Sequence, residues 1–503
     1  RIEGNCEAVE RKMGGGTERH FEADAAIIVE ALSDFYEGST SGEGPVIHQL
    51  PLSKLAADME LSALIQYGGL TGEKLSRFID RYLSGLTRIY HPANVAHQQA
   101  VPHYMAALAG LVDNFVSSDG SIYELGPASV TIEYFIINWL LEKVGWTPGP
   151  LNPHQANRGV HGGGILTHGG SLANLTALIA ARTHLAPDVW QHGNPGDLAL
   201  LAPAETHYSI ARAAGIMGMG HRAVYPLEVD EWGVVLPVQL PDALARAEAD
   251  GKRVVALVAN AGTTAAGLYD PLHEIGTFCR EHGLWFHVDA AHGGPALLTE
   301  KYGHLMRGAE LADSLTMNMH KLGRVTAFCT VLLVRNARTL DGAFTQEASY
   351  LFHEKEQPGY DFLHRTIECT KPVLGLKLFM VLAALGETGL AGYIERQFDL
   401  TTEAYNYLQG LPDFYCPVEP QSNILCFQAK DAADAPLALR DRLLARGNYY
   451  LSSAVLNGQR YLRLTLSNPA TTMDQIKGLV REIREVAKEI SALDCRDSRD
   501  VVG

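Results

Sequence analysis

The chain has 503 residues, of which 47% are apolar and 19% are charged, and its formal net charge is −16. An apolar content of this size is expected to be divided over two or three domains. The acidic balance argues against nucleic acid or an anionic membrane as a partner, because both require concentrated Lys and Arg. It is typical of an enzyme that acts on small molecules.

The seven cysteines are scattered without CxxC spacing, and their odd number leaves at least one unpaired. This usage predicts reduced thiols in a cytoplasmic protein. No apolar run approaches the ~20 residues that a membrane span requires, so no membrane segment is expected. The opening residues, RIEGNCEAVERKMGGG, lack the apolar part of a signal peptide and are interpreted as a flexible terminus.

Helical periodicity dominates the first part of the chain. From HFEADAAIIVEALSDFY to LSRFIDRYLSGLTRIYHP, apolar residues recur at helical spacing, which predicts an N-terminal helical segment over residues 1–95. Two further helices are predicted in HYMAALAGLVDNFV and TIEYFIINWLLEKVGW. The second is apolar on most sides and is therefore expected to be buried.

Short apolar runs then alternate with helical patterns. The predicted strands are DLALLAP, RVVALVANAG, LWFHVDA, DSLTMNM and AFCTVLLV. This alternation predicts a large α/β domain over residues 96–388, with a mostly parallel central sheet and helices on both faces. Over residues 389–503, the strand patterns NILCFQA and RYLRLTLSNP precede a terminal helix with Thr as its N-cap, which predicts a small α+β domain.

Two features of the α/β region lie at strand ends, where ligands bind in such folds. The first is ILTHGGSLANLTALIAAR, a strand followed by a Gly-Gly-Ser turn and a helix whose N-terminus would accept an anion such as phosphate. A plain tight connection is the alternative. The second is Asp289, whose carboxylate would require a cationic partner if buried, although it could also cap a helix or pair with an arginine.

Two further features are basic. Lys321 follows the run DSLTMNM, and burial there would lower the pKa of its amine and suit it to Schiff-base chemistry, unless the lysine is structural. His207 could stack on a flat ring or make an ordinary polar contact. Together the four features require one ligand with a phosphate, an aromatic ring, a group that gains a proton and an aldehyde. Pyridoxal phosphate has all of these.

Four strings in this order, GGSLANLTALIAAR, ETHYSIARAAG, HVDAAHGG and NMHKLG, resemble the group II pyridoxal-phosphate decarboxylases. That family includes glutamate, diaminobutyrate, cysteine sulfinate and aromatic amino acid decarboxylases, and the likeness extends from about Leu86 to the C-terminal domain. It implies the aminotransferase-like fold (fold type I) and pyridoxal 5′-phosphate as cofactor. Asp289 would pair with the pyridine nitrogen, Lys321 would carry the cofactor and His207 would stack on its ring. The other cofactor-binding residues that it implies are Gly170, Ser171, Thr263, Ala291, Asn318 and His320.

The segment LDGAFTQEASYLFHEKEQPGYD, at about 340–361, lacks clear periodicity, as expected of a lid. Decarboxylases of this family carry a tyrosine on that loop which protonates the carbanion left by CO2, whereas relatives that form aldehydes oxidatively have phenylalanine. Tyr350 lies at the matching offset, so the resemblance implies simple amine formation with Tyr350 or His207 as proton donor. An ordinary packed loop residue is the alternative for Tyr350.

The segment IYHPANVAHQQAVP corresponds to the part of the family that lines the substrate pocket. Aromatic-specific relatives have bulky rings there, whereas this chain has His97, Gln98 and Gln99, and GSIYELGPAS adds Tyr123 and Glu124. These residues favour a diamino acid or an acidic amino acid over an aromatic one. They could instead hold a subunit interface.

Two arginines are candidates for binding a substrate carboxylate. Arg463 matches a family arginine with that role, and Arg365 is a weaker candidate. Family members are homodimers whose active sites take residues from both chains, so a two-fold dimer with exchanged N-terminal helices is expected.

The expected reaction is α-decarboxylation of an L-amino acid to its amine and CO2. An aromatic substrate, and an aminotransferase or carbon–sulfur lyase reaction on the same fold, stay open. A catalytically inactive relative is disfavoured by the intact Lys321, Asp289 and His207.

Overall fold

The structure is a computed structural model that describes residues 21–152, 159–344 and 359–500, with side chains up to residue 490. The chain divides into two compact units. The first comprises the residues up to 96, residues 431–452 and the residues from 470 on, and the second comprises residues 97–430 and 453–469. The first division lies one residue from the predicted 95/96 boundary, whereas the predicted C-terminal domain, 389–503, is distributed over both units.

Elements are numbered along the described part of the chain. The α-helices are α1 Phe21–Thr40, α2 Leu52–Asp58, α3 Leu61–Tyr67, α4 Glu73–Ser84, α5 Tyr104–Val116, α6 Pro127–Val144, α7 Gly170–Leu185, α8 Val189–His192, α9 Ser209–Ile216, α10 Leu240–Ala249, α11 Leu272–Glu281, α12 Arg338–Asp341, α13 Gly375–Gln409, α14 Pro436–Arg446 and α15 Met473–Asp500. The strands are β1 Gly163–Thr167, β2 Leu198–Pro203, β3 Val224–Leu227, β4 Arg253–Asn260, β5 Trp285–Asp289, β6 Ser314–Asn318, β7 Thr330–Val334, β8 Phe414–Tyr415, β9 Ile424–Ala429, β10 Ser452–Leu456 and β11 Gln459–Thr465.

The first unit is helical. Asp24 in the first turn of α1 accepts hydrogen bonds from the Thr71 hydroxyl (2.7 Å) and the Gly72 N–H (3.0 Å), which fixes the start of α4 against α1. The terminal helix α15 begins as predicted, with Thr472 as its N-cap: the Thr472 hydroxyl accepts from the Asp474 N–H, and the Gln475 side chain accepts from the Thr472 N–H.

The second unit is built on a seven-stranded sheet in the order β1-β7-β6-β5-β4-β2-β3. Only β7 runs antiparallel to its neighbours, β1 and β6, so the carboxyl ends of the other strands meet at one edge. Strands β1, β2, β5, β6 and β7 are buried along their whole length, and helices α6, α7, α10 and α11 pack against the sheet. The predicted α/β fold with a mainly parallel sheet is confirmed.

A buried ion pair fixes β1 in this unit. The Lys371 ammonium contacts the Glu133 carboxylate of α6, and neither side chain is more than 2% exposed. The second Glu133 oxygen accepts a hydrogen bond from the backbone N–H of Leu166 (2.9 Å). The ion pair therefore also satisfies a backbone donor of β1. Because removal of one partner would leave an uncompensated buried charge, the pair holds α6 and β1 in a defined relation.

The two predicted strands of the C-terminal region, β9 and β11, pair within a smaller sheet in the order β10-β11-β9-β8, to which β8 and β10 add strands that were not predicted. Helix α13, which precedes it, is interrupted at Gly386 (φ 67°). By length and composition α13 could cross a membrane, contrary to the expectation that no run approaches that length. Its buried side chains, such as Leu378, Val381 and Phe398, belong to the hydrophobic core of the second unit.

Candidate active site

A cavity of about 260 Å³ lies in the second unit, where the carboxyl ends of β1, β2, β4, β5 and β6 meet. Most of the predicted cofactor residues line it: Gly170, Ser171, His207, Asp289, Ala291, Asn318, His320 and Lys321. Segments more than 150 residues apart in sequence therefore converge on one space. Tyr350 lies outside the described residues.

The glycine turn after β1 enters the cavity at the N-terminus of α7. Gly169 has φ 104°, a left-handed conformation that a side chain would strain. A Cβ added to Gly170 would lie 3.1 Å from Oδ1 of Asn318 and 3.5 Å from Cβ of Ala291, so the turn lies directly beside the ends of β6 and β5. The N–H groups of Gly170 and Ser171 precede the first backbone hydrogen bonds of this 16-residue helix, which Leu172 and Ala173 donate to the Gly169 carbonyl, and such groups favour an anion.

Asp289, at the end of β5, is 6% exposed and is held by two hydrogen bonds. Its Oδ1 accepts the N–H of Ala291 (3.1 Å), and its Oδ2 accepts the side-chain amide of Asn174 on α7 (2.8 Å). Since two donors fix the carboxylate plane, Asp289 is oriented before any ligand arrives.

Asn174 belongs to a longer buried chain of hydrogen bonds whose directions can be assigned. Its Nδ2 donates both hydrogens, to Asp289 and to Ser209 Oγ (3.0 Å), so its Oδ1 must accept from Nε2 of His287 (3.1 Å). His287 Nδ1 then accepts from the Ser314 hydroxyl (2.8 Å), which in turn accepts the indole N–H of Trp285 (2.9 Å). We call Asp289 together with Asn174, His287, Ser314 and Trp285 the Asp289 relay.

The relay is uncharged beyond Asp289. His287 is fully buried, and burial lowers its pKa to about 4, against a smaller opposing effect of Asp289. The imidazole is therefore neutral at physiological pH and carries its hydrogen on Nε2. Sequence reasoning assigned no role to Asn174 or His287, although both are polar residues within otherwise apolar, buried elements.

Lys321 follows β6 on a turn anchored by Asn318, whose Oδ1 accepts the Thr330 hydroxyl (2.8 Å). Burial lowers the pKa of the Lys321 amine to about 8; Asp289 opposes this shift, and Arg463 adds to it. The amine is thus more readily deprotonated than that of an exposed lysine, as Schiff-base formation requires.

The two predicted histidines of the cavity wall are held by backbone groups. His207 Nδ1 accepts the N–H of Ser209 (3.2 Å), and His320 Nδ1 lies within hydrogen-bond distance of both the N–H (3.1 Å) and the carbonyl (3.0 Å) of Cys329. Burial is the main cause that lowers the pKa of both rings. The neutral ring of His207 therefore carries its hydrogen on Nε2.

Two buried polar atoms of cavity-lining residues have no hydrogen-bond partner among the described residues: Asn260 Nδ2 and His292 Nδ1. His292 donates through Nε2 to Asn423 Oδ1 (2.7 Å), because the Asn423 amide donates to Leu466 O and Ser467 Oγ. Its Nδ1 is thus an acceptor. Buried groups of this kind are normally satisfied, so they indicate a polar ligand and fit the expected cofactor.

The other predicted residues lie away from the cavity wall. Thr263 is buried, and its hydroxyl oxygen accepts a hydrogen bond from the Leu268 N–H (3.1 Å). Its neighbour Thr264 lines the cavity instead. Arg463 is 6% exposed and donates to the carbonyls of Thr264 (2.9 Å) and Ala265 (3.0 Å), which places it behind that wall.

The segment that contains His97 and Gln98 lies next to the cavity. The Ala100 N–H donates to the carbonyl of His320, a residue of the cavity wall (3.0 Å). Tyr123 and Glu124 are exposed. Arg365 pairs with Asp341 and is not among the residues that line the cavity.

Comparison with known proteins bears on this site. The family model described as the pyridoxal-dependent decarboxylase conserved domain matches residues 71–430. Cysteine sulfinic acid decarboxylase of Rattus norvegicus is 30% identical over 452 residues, 85% of each chain. L-2,4-Diaminobutyrate decarboxylase of Acinetobacter baumannii is 27% identical over 444 residues, 83% of this chain and 84% of the other.

Among solved structures, that of mouse CSAD in apo form has a TM-score of 0.84 at 26% identity and covers 93% of this chain and 98% of the other. The family match spans the sheet, the cavity and most of the predicted site residues, so it concerns the same part of the molecule as the geometry above. The chain therefore belongs to the family of pyridoxal-phosphate-dependent amino acid decarboxylases.

Proposed function

We propose that this protein catalyses the α-decarboxylation of an L-amino acid with a polar or charged side chain, with pyridoxal phosphate as cofactor. The observation that carries the proposal is the convergence of Lys321, Asp289 and the glycine turn before α7 on one cavity. The names of the two relatives above point to cysteine sulfinate and 2,4-diaminobutyrate, and both of these substrates carry charged side chains.

The cavity offers one residue set for each part of the cofactor. Ser171 and the first N–H groups of α7 would hold the phosphate, and Asp289 would hold the ring nitrogen. His207 would stack on the ring, and Ala291 would leave room for it. Asn318 and His320 would lie between the phosphate and the reacting centre.

When bound, pyridoxal phosphate supplies an aldehyde for the amine and a conjugated ring that accepts the electrons of the bond to the departing carboxylate. Lys321 provides the amine of attachment. At pH 7.5, roughly a quarter of an amine with a pKa near 8 is neutral, against about 0.1% for an ordinary lysine. The lowered pKa thus raises the supply of nucleophile more than a hundredfold.

His207 is the described residue best suited to return a proton to the substrate. Because its Nδ1 accepts from the Ser209 N–H, the mobile hydrogen is on Nε2. A neutral ring can release that hydrogen only if it is replaced, so His207 would act together with a further donor. Tyr350 remains the candidate proposed from the resemblance.

A polar substrate side chain is supported by the segment beside His320. The side-chain amide nitrogen of Gln98 is buried and lacks a partner among the described residues, so it is available to a ligand. His97 is exposed next to it. We assign both residues to the substrate side chain. Arg463, whose guanidinium donates to the Thr264 and Ala265 carbonyls, is the candidate for the substrate carboxylate by the resemblance alone.

We further propose a homodimer with shared active sites. Six apolar side chains of α5 in the second unit are between 43% and 66% exposed: Tyr104, Leu108, Leu111, Val112, Phe115 and Val116. A helix face of this kind on a soluble enzyme is normally covered by a partner. Phe328, which lines the cavity and is 54% exposed, would then be covered by the second chain.

A cytoplasmic location is also proposed. The described free cysteines Cys279, Cys329, Cys416 and Cys426 are buried, and Cys369 is exposed. Free thiols of this number are usual in a reducing compartment.

The function is tested by incubating the cofactor-loaded protein with acidic, diamino and aromatic L-amino acids while CO2 and primary amine are measured. We expect stoichiometric CO2 and amine from an acidic or diamino substrate. Formation of a keto acid without CO2 would replace the decarboxylase by an aminotransferase. CO2 from aromatic substrates alone would overturn the assigned substrate class. The Lys321→Ala variant is the control, and it should neither release CO2 nor develop a visible absorbance band on addition of cofactor.

A further inference from the structure

His292, to which the sequence assigned no role, follows Asp289 by three residues and lines the cavity. It is 2% exposed. Its Nε2 donates to Asn423 Oδ1 (2.7 Å), so its Nδ1 is an acceptor, and this buried atom has no partner among the described residues. An unpartnered buried acceptor is unfavourable, which indicates that a donor reaches it in another state of the protein.

The ring of His292 is neutral and lies near the lysine of the cavity. Burial is the main cause that holds the pKa of His292 well below its usual value, and the positive charge of Lys321 is the second. The charge of Arg463 acts in the same direction with a smaller effect. Because Coulomb interactions weaken with distance, this order indicates that the Lys321 amine lies close to the imidazole ring.

The turn that carries His292 is fixed beside the turn that carries the lysine. The Ala291 carbonyl accepts the N–H of Asn318 (3.1 Å), the residue that anchors the lysine turn. On the other side, the Gly293 N–H donates to the Ala261 carbonyl (2.9 Å). Since both neighbours of His292 are hydrogen-bonded, a change in the separation of the two side chains comes from the flexible lysine.

Few donors can reach Nδ1 of His292. The atom is buried, so bulk water does not supply a hydrogen. The guanidinium of Arg463 donates to two backbone carbonyls. The cofactor of the proposed function is rich in acceptors, and its ring N–H faces Asp289. The Lys321 amine carries hydrogens and lies close to the ring, so it is the donor that fits best.

We propose that His292 is a positioning residue for Lys321: its Nδ1 accepts a hydrogen bond from the lysine amine when that amine is not attached to the cofactor. This role rests on the proposed function. In the structure the lysine lines the cavity and makes no hydrogen bond to Nδ1, so the bond forms by rotation of the lysine side chain. Lys321 therefore has two positions, one toward the cofactor and one at His292.

The second position matters when a substrate amine takes the place of Lys321 on the aldehyde carbon of the cofactor. The carbon–nitrogen bond to Nζ breaks as the bond to the substrate nitrogen forms, and two hydrogens pass from that nitrogen to Nζ. The released amine can then donate to His292. Because His292 stabilises only the released lysine, it favours transfer of the cofactor to the substrate.

The test compares two ligands in three proteins. Wild-type, His292→Phe and His292→Asn apoproteins are titrated with pyridoxal phosphate and with 4′-deoxypyridoxine 5′-phosphate, in which a methyl group replaces the aldehyde. Kd is obtained from quenching of tryptophan fluorescence. Phenylalanine keeps a ring without an acceptor, whereas the side-chain oxygen of asparagine lies near the place of Nδ1. Neither side chain reproduces the bond from Nε2 to Asn423, so the two variants are matched in that loss.

Attachment of pyridoxal phosphate removes the bond between Lys321 and His292 in wild type, whereas the analogue leaves the lysine free. We therefore expect His292→Phe to shift the ratio of the two Kd values about tenfold in favour of pyridoxal phosphate, and His292→Asn to keep the wild-type ratio. A merely structural role lowers the affinity for both ligands together. An unchanged ratio in His292→Phe, or the same shift in His292→Asn, overturns the proposal.

A second readout is the pH at which the rate of cofactor attachment is half-maximal, which follows the pKa of the Lys321 amine. Because an acceptor stabilises the ammonium form more than the neutral amine, His292→Phe should lower this pH by about one unit. No shift, or a rise, contradicts the proposal. The other charged or titratable groups around the amine are the same in all three proteins: Asp289, Arg463, His207 and His320.

Failure of this inference and failure of the proposed function are distinguishable, because neither readout uses an amino acid. A wild-type protein that binds cofactor but releases CO2 from no amino acid contradicts the proposed function, while the two readouts still decide the role of His292. A wild-type protein in which pyridoxal phosphate does not become attached to Lys321 contradicts both.

Discussion

Substitution of Asn174 tests whether the relay orients Asp289 or merely fills space. Asn174→Ala removes the donor to Asp289 Oδ2 and leaves Ser209 and His287 without their partner. Asn174→Asp keeps the size of the side chain and the acceptor for His287 Nε2, but it places a second carboxylate beside Asp289. A comparison of the two variants separates the effect of side-chain volume from the effect of hydrogen-bond direction.

The magnitude follows from the bond to Asp289, which is charge-assisted and 2.8 Å long. Such bonds contribute about 1.5–3 kcal/mol. At ~1.4 kcal/mol for each factor of ten, Asn174→Ala should weaken cofactor binding about 10- to 100-fold. Above neutral pH, Asn174→Asp should bind the cofactor more weakly than Asn174→Ala, because its two adjacent carboxylates repel each other. The loss of cofactor affinity in Asn174→Asp relative to wild type should become smaller at acidic pH, where the two carboxylates can share a proton.

The assay is fluorescence titration of the apoproteins with pyridoxal phosphate at pH 6 and pH 8, with the thermal midpoint measured in parallel. A purely structural role for Asn174 predicts the opposite order, with Asn174→Asp milder than Asn174→Ala because it leaves no cavity. That order, or wild-type affinity in either variant, would refute the reasoning. Thr176→Val should leave the affinity unchanged, because Thr176 is buried on the same helix and its hydroxyl donates to the Leu172 carbonyl (2.8 Å).

Three further predictions concern the cofactor, the reaction and the assembly. Since the pKa of Lys321 is lowered to about 8 and only the neutral amine attacks, the rate of cofactor attachment should rise with pH and level off above about 8. Stopped-flow absorbance measures this rate, and a flat profile between pH 6 and 9 would contradict it. Asp289→Asn should retain the far-UV circular dichroism of wild type but lose CO2 release, because a neutral amide cannot hold the ring nitrogen protonated. Full turnover of that variant would exclude the assigned role. If the proposed homodimer forms through the exposed face of α5, Leu111→Glu should convert it to monomers in sedimentation velocity. A persistent dimer would exclude α5 from the interface.

The parts of the site that could be predicted from the sequence are those marked by a change of pattern. Asp289 and Lys321 each end a continuous apolar run, and such runs form the buried strands β5 and β6. The glycine turn stands out because Gly169 and Gly170 precede a strong helix. These signals are local, and parallel strands carry them to one edge of the sheet.

The relay could not be found in this way. Asn174 lies in the middle of a helix, and His287 lies within a strand, so neither interrupts a pattern. Their role depends on which helix packs beside which strand, a tertiary fact. Thr263 illustrates the same limit at shorter range. The Gly-Thr-Thr string identifies the loop, but the backbone turns so that Thr264, not Thr263, lines the cavity.

Domain boundaries were the least predictable feature. The expected division at 388/389 lies within α13, shortly after the interruption at Gly386. Helical periodicity continues across that residue, and one glycine with positive φ leaves no clear trace in the sequence. The chain also returns to the first unit at 431–452 and again from 470, which no linear division can represent.

The Asp289 relay has an evolutionary consequence. From Trp285 through Ser314, His287 and Asn174, each hydrogen-bond donor of the chain has one assigned acceptor. Replacing one member therefore leaves the neighbouring members without a hydrogen-bond partner. A buried chain of this kind tolerates simultaneous replacement far better than stepwise replacement. Positions 174, 285, 287 and 314 are therefore expected to vary together among related sequences, as one inherited unit behind the carboxylate.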